Sequence, residues 1–360
     1  MKKVLRLLPF FLMAVVLFTA CSDDDDDVTP KVSSIYVLNE GNDNGSVSIV
    51  DENDQVTNNY YEAVNGLPLG KFPQSMAVND THVFIVVTTQ NGAGYVEVVE
   101  KETFKHVTSI TGFSYPREIT LMDGKAYVSN GNGQTGEWPN TVKQDNEIYP
   151  INLSDFSKGN AIGVGAGPEK MVVSNGKLYV ANSGGWSNDD NTVTVVDTSN
   201  DQVIETITVK ACPKDMAVDA NGDIWVYCGG KPDYSNYPAV TYADAGLSKI
   251  TTSSSDVTSW DIATPSGAVK SIAISKNEKT VYYITDAVYA MDIDATELPE
   301  AKFIDETYYG IDVHPNTDDL WLCKKVDATT PGTVFVYSKN AEMAKQYKVG
   351  AMPNSTVFAN

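Results

Sequence analysis

Short apolar strings, five residues long and rich in β-branched and aromatic side chains, recur along the chain. Ala126–Asn130 reads AYVSN, Leu178–Asn182 LYVAN, Ile35–Asn39 IYVLN and Ile224–Cys228 IWVYC. Looser copies are Val83–Val87, Val281–Thr285 and Leu320–Lys324. Their middle residues (Val37, Ile85, Val128, Val180, Val226, Tyr283 and Leu322) are separated by 39 to 57 residues. Each string is too short for a helix and suits a strand packed on both faces. A strand-built period of this length predicts a β-propeller, here of seven blades. One blade cannot bury its own faces, so the repeats stack into a single domain.

A second pattern fixes the order of strands within a blade. Ahead of most repeated strings runs a strand that starts at a proline: Pro73, Pro116, Pro168 and Pro213, with weaker equivalents at Val269 and Tyr309. Asp123-Gly124, Asn175-Gly176 and Asn221-Gly222 then supply tight hairpin turns into the repeated strand. Third and fourth strands follow, as in Thr192–Thr198 and Gln202–Val209, so four antiparallel strands per blade are expected. Helical periodicity is weak, and Asn340–Tyr347 is assigned to an outer strand. The string Ile35–Asn39 has no proline-led partner before it, whereas Pro353 starts one with no string after it. Ser355–Ala359 should therefore complete the first blade and close the ring, removing an open sheet edge.

The N-terminus stands apart from this pattern. Lys2, Lys3 and Arg6 precede an apolar run, Leu7–Phe18, and small residues lead to Cys21. This is the form of a signal peptide, residues 1–20, with Cys21 as the lipidation site. Ser22 and Asp23–Asp27 follow; such like charges repel and stay extended, so 21–32 reads as a tether and 33–360 as the propeller. The serine-plus-acidic run resembles the signal that places lipoproteins of one Gram-negative group on the outer face of the outer membrane. The expected location is there, lipid-anchored and surface-exposed, with membrane contact through the anchor only.

Charge narrows the partners. With 26 Lys plus Arg against 47 Asp plus Glu, the net is −21, and such a surface repels nucleic acid. The three histidines, His82, His106 and His314, sit in no metal-protease or nucleophile motif. Asp219–Asp223, DANGD, lacks the ligand run of a calcium loop and reads as a turn. Neither metal nor cofactor is expected, and the chain is not read as an enzyme. Cys212 and Cys228 fall at hairpin ends close enough for a bridge, with packed free thiols the alternative.

The tetrapeptides YVSN, YVAN and YVLN, the GxxP spacing at Gly165–Pro168 and Gly350–Pro353, and VDT at 196–198 resemble the YVTN-type seven-bladed propellers. A narrower resemblance lies in VLNEGNDNGSVSIVD (37–51), PREI (116–119) and the lipidation site with its tether. These are similar to the BtuG-type surface lipoproteins. That resemblance implies capture of cobalamin (vitamin B12) or another corrinoid and delivery to a BtuB-like outer-membrane transporter. A surface propeller that binds another ligand or a partner protein without cobalamin affinity remains the alternative.

Geometry points to one face. The starts of the proline-led strands and the ends of the repeated strands share a level. That level brings together Gln74, Arg117, Glu169, Lys170, Lys214, Asp215, Lys270 and Tyr309, with Asn39, Asn130 and Asn182 at the strand ends. Long loops leave from the same level and carry Trp138, Trp186, Tyr234 and Tyr237. Aromatics and hydrogen-bonding side chains on loops over a rigid scaffold are the makings of a ligand site.

Overall fold

The computed structural model describes residues 34–41, 44–89, 93–131, 134–135, 142–143 and 146–359. The leader, Cys21, the tether and Trp138 lie outside the described residues. The chain is all-β and builds the expected seven blades around a central channel. Blades 2 to 5 begin at Pro73, Pro116, Pro168 and Pro213, and blade 7 at Gly310. Blade 1 is composite. Its order is Val56–Thr57, Ser46–Val50, Ser34–Asn39 and then the C-terminal Pro353–Ala359. The terminal strands pair antiparallel, Ile35 with Phe358 and Val37 with Thr356, so the ring is closed as the strand inventory predicts.

One blade departs from the four-strand pattern. Blade 6 has three strands, Ile272–Ile274, Thr280–Ile284 and Val288–Asp292, and in the fourth position only a bridge between Val288 and Ile304. In blade 1 the outermost strand is two residues long, and the chain turns into a helix, Tyr60–Asn65, that the weak periodicity did not reveal. Left-handed Asn59 and Gly66 bound that helix. Its one buried side chain, Tyr61, donates a 2.7 Å hydrogen bond to the buried carboxylate of Glu97 in blade 2.

The cores lie between blades. Side chains alternate across a strand, so each repeated string serves two cores. Tyr36 and Leu38 pack toward blade 2, and Val37 toward blade 7. Phe84 and Val86 pack toward blade 3, and Val83, Ile85 and Val87 toward blade 1. Trp225 and Tyr227 face blade 6, whereas Ile224, Val226 and Cys228 face blade 4. This explains why apolar side chains follow one another along the strings instead of alternating with polar ones: neither face meets water. Each such side chain contributes roughly 1.5–3 kcal/mol by burial. Cys212, Cys228 and Cys323 are buried free thiols, and Cys212 donates to Asn188 Oδ1 at 3.2 Å. DANGD is a hairpin turn: Asp219 accepts from the backbone of Asn221 and Asp223 and from Trp225 Nε1.

One local device sets the level of the channel mouth. The residue before the proline is left-handed at Phe72, Gly167, Cys212 and Met352, with φ of 50, 58, 56 and 52°. That turn swings the chain from the blade edge into the channel. In five blades the pre-proline carbonyl accepts from the first residue after the repeated strand: Thr88 to Phe72, Gly131 to Tyr115, Ser183 to Gly167, Gly229 to Cys212 and Glu40 to Met352. The loops after the repeated strands and the starts of the inner strands are thus pinned to one face.

Candidate functional site

Because the inner strands all start at this face, the first side chains after each turn converge on the channel mouth. There they line a cavity of about 230 Å³. Gln74, Arg117, Glu169, Lys170, Lys214, Asp215 and Lys270, expected at one level, all line it. Glu40, Ser75, Glu118 and Asn354 line it too and were missed. Asn354 follows Pro353 on the closing strand, so the rule that found the others reaches it. Glu40 comes from the loop after Asn39 and has no counterpart in that rule.

These groups form a hydrogen-bonded arc from blade to blade. Tyr309 donates its hydroxyl to Glu40 Oε2 at 3.0 Å, and Asn354 Nδ2 reaches Glu40 Oε1 and the Gln74 carbonyl, each at 3.2 Å. Arg117 donates from Nη1 to Gln74 Oε1 and from Nε to Glu169 Oε2, the latter at 3.0 Å. Lys170 pairs with Glu118 at 3.5 Å, and Lys270 pairs with Asp312. Asp215 is buried, and its oxygens are taken by backbone N–H groups of Met216, Ser271 and Ile272 at 2.9, 2.6 and 3.1 Å.

Burial governs the electrostatics. It pushes the Glu40 carboxyl up, with the hydrogen bonds from Asn354 and Tyr309 opposing. It pushes Glu169 up against the pull of Arg117, while Glu169 raises Arg117 despite the burial of that guanidinium. Asp215 is raised by burial, with Lys170 and Lys270 opposing. Burial presses Lys214 down. In Lys270 the Asp312 carboxylate outweighs burial, so the ammonium is held up.

Other expected site residues stand elsewhere. Asn39, Asn130 and Asn182 are buried and do not face the opening. Asn39 donates to Ser46 and Ser48, Asn182 to Thr192 and Thr194, and Asn130 accepts from the backbone of Ser114 and Tyr115. The asparagine that ends a repeated strand organises its own blade, because the amide is short and the next loop lies within its reach. Tyr309 is buried and meets the arc only through its hydroxyl.

Trp186, Tyr234 and Tyr237 are exposed, 78, 62 and 78%. Trp186 sits in a 3₁₀ turn, Gly185–Ser187, that crosses tightly over Gly167. Tyr234 and Tyr237 lie at the tip of a hairpin formed by Lys231–Asp233 and Thr241–Ala243. Of the exposed large apolar side chains among the described residues, Val107, Val203, Ile204, Val257 and Met343 are on outermost strands. The others, Leu67, Trp186, Tyr234, Tyr237, Val269 and Val326, are all on loops of the proline face. Among the described residues the loops of the opposite face carry none.

The chain belongs to the family described as Domain of unknown function (DUF5074), which matches residues 33–358. No curated protein matches it. Among solved structures it is similar to a quinonprotein alcohol dehydrogenase-like protein from Bacteroides thetaiotaomicron. The TM-score is 0.67 at 14% identity, over 91% of this chain and 78% of that one. It is also similar to the periplasmic gluconolactonase of Pseudomonas aeruginosa, at TM-score 0.62 and 12% identity over 91% and 99%. Hydrazine synthase of Kuenenia stuttgartiensis gives TM-score 0.62 at 14% identity over 82% and 90%. At such identities the likeness is one of fold, and propellers host many functions.

Proposed function

We propose that this chain is a surface lipoprotein that captures cobalamin or a related corrinoid on its proline face and passes it to a BtuB-like outer-membrane transporter. The observation that carries the reading is the one-sided placement of exposed loop aromatics above a mouth ringed with hydrogen-bonding groups. A corrin is a broad, partly apolar ring edged with amide arms. Aromatic loop residues suit its face, and donors such as Arg117 and Gln74 suit its amides. The cavity is far too small for the ring, which would lie across the opening with only a peripheral arm reaching down. The lipidation site and acidic tether fit display at the cell surface.

The reading is of capture without chemistry. Each acid at the mouth is engaged: Glu169 with Arg117, Glu118 with Lys170, Asp215 with backbone N–H groups, and Glu40 with Tyr309 and Asn354. That arrangement suits holding a ligand better than moving protons. Calorimetry and visible absorption of the chain from Ser22 onward, titrated with cobalamin, test it. Saturable heat with a spectral change is expected; neither at micromolar concentrations would reject the corrinoid.

A further inference from the structure

Three of the four cations around the cavity sit on a carboxylate, and the fourth does not. Arg117 sits on Glu169, Lys170 on Glu118 and Lys270 on Asp312. Lys214 Nζ instead donates to the carbonyls of Ser266 and Ala268 at 3.4 and 3.2 Å, and lies 5.5 Å from the centroid of Tyr227. An ammonium has three donors, so one is left. Asp215, its neighbour in sequence, makes no direct ion pair with it: both Asp215 oxygens hold backbone N–H groups of blades 5 and 6. The arc of side chains running from Tyr309 through Glu40, Gln74 and Arg117 stops at Glu169 and resumes at Lys270. Lys214 occupies the break. Beside it the wall is open: a Cβ on Gly267, which also lines the cavity, would meet nothing within 4 Å.

We infer that Lys214 is the seat for a singly charged oxyanion of the ligand, a phosphodiester or a carboxylate, entering beside Gly267. One unpaired ammonium calls for one negative charge. A second would be repelled by Glu40 and Asp215, the two lining acids that sit on no cation. The volume suits a small charged group on a larger ligand. The inference rests on the corrinoid reading and sharpens it. Cobalamin carries one phosphodiester in its nucleotide arm, and cobinamide lacks both the arm and the phosphate. The seat therefore discriminates between them.

The test is calorimetry of the wild type, Lys214→Met and Gly267→Val with cobalamin and cobinamide. The wild type is expected to bind cobalamin about 10-fold or more tighter than cobinamide, about 1.4 kcal/mol. Lys214→Met should bring the two within about 2-fold, the larger loss falling on cobalamin. Gly267→Val, which fills the open wall and keeps the lysine, should do the same, and serves if Lys214→Met does not fold. Equal binding of the two corrinoids by wild type, or a preference that survives both substitutions, would overturn the seat and leave the corrinoid reading standing. If neither corrinoid binds, that reading fails and small anions decide the seat. Diethyl phosphate or propionate should then shift NMR signals around residues 212–216 and 266–270 in wild type and not in Lys214→Met. The stronger of the two identifies the anion's source. No shift with either, or inorganic phosphate at pH 8 outcompeting both, would overturn it.

Discussion

Tyr309, where the chain turns into the last blade, donates its hydroxyl to the carboxylate of Glu40, beyond the first repeated strand, at 3.0 Å. The two residues are 269 apart in sequence. Their bond crosses the seam where the ring closes. Lys325 covers the other side of the tyrosine, its ammonium 3.6 Å from the ring centroid. Burial pushes both the Glu40 carboxyl and the Tyr309 phenol up.

A raised carboxyl fixes the sign of a pH effect. Below the ordinary carboxylate range Glu40 is neutral in both folded and unfolded chains, and its contribution is fully present. As pH rises through the raised folded value, the folded chain must ionise a buried group and that contribution is lost. Glu40→Gln should match the wild type near pH 3.5 and gain stability relative to it as pH climbs to 8. Urea denaturation across that range checks the divergence; parallel curves would refute the assignment.

Asp312 joins blade 7 to the closing strand. One carboxylate oxygen accepts from Thr356 N and Oγ1 at 2.7 and 3.1 Å, and the other meets Lys270. Asp312→Ala leaves a partly buried ammonium and a buried N–H without this partner and is expected to cost about 2–4 kcal/mol. Asp312→Asn keeps an acceptor for Thr356 and should cost less. Denaturation midpoints of the two variants separate loss of charge from loss of the acceptor.

Gly167 carries φ of 58°, and a Cβ there would lie 2.0 Å from the backbone nitrogen of Gly185. Gly167→Ala should destabilise by about 2 kcal/mol or more through left-handed strain and backbone collision. It should also displace the turn bearing Trp186. Gly267→Ala, with open space around its Cβ, serves as the control and should stay within about 0.5 kcal/mol of wild type. Thermal unfolding and tryptophan fluorescence read the two effects.

Framework and ligand side chains should separate by mutation. Asn182→Ala removes the partner of Thr192 and Thr194 and should cost about 1–2 kcal/mol without changing corrinoid affinity. Trp186→Ala and Tyr237→Ala should leave stability within about 0.5 kcal/mol and weaken corrinoid binding about 10-fold or more. Calorimetry beside denaturation distinguishes the two classes.

The frame was legible because its causes are local. AYVSN and its copies carry runs of consecutive apolar residues because each strand lies between two cores, and Asn175-Gly176 announces its turn by chemistry alone. Ring closure was legible from a proline-led strand without a follower. The ring of residues after the prolines followed from the same periodicity. Residues set by distant contacts were not legible. Asn182 shares its position with a rim residue, and only the nearness of Thr192 and Thr194 shows that its amide is already used. Glu40 reaches the cavity through Asn354 and Tyr309, partners at the far end of the chain. The helix Tyr60–Asn65 forms where an outer strand stops short, and its six residues are too few for a periodic signal.

The central claim is that the proline face holds the ligand. Hydrogen–deuterium exchange of the chain from Ser22 onward, with and without saturating cobalamin, tests it most directly. Protection is expected at 183–191, 229–245 and 266–270, with none at the opposite-face turns around Gly124, Gly176 and Gly222. Protection confined to those turns or to the outermost strands would contradict the account.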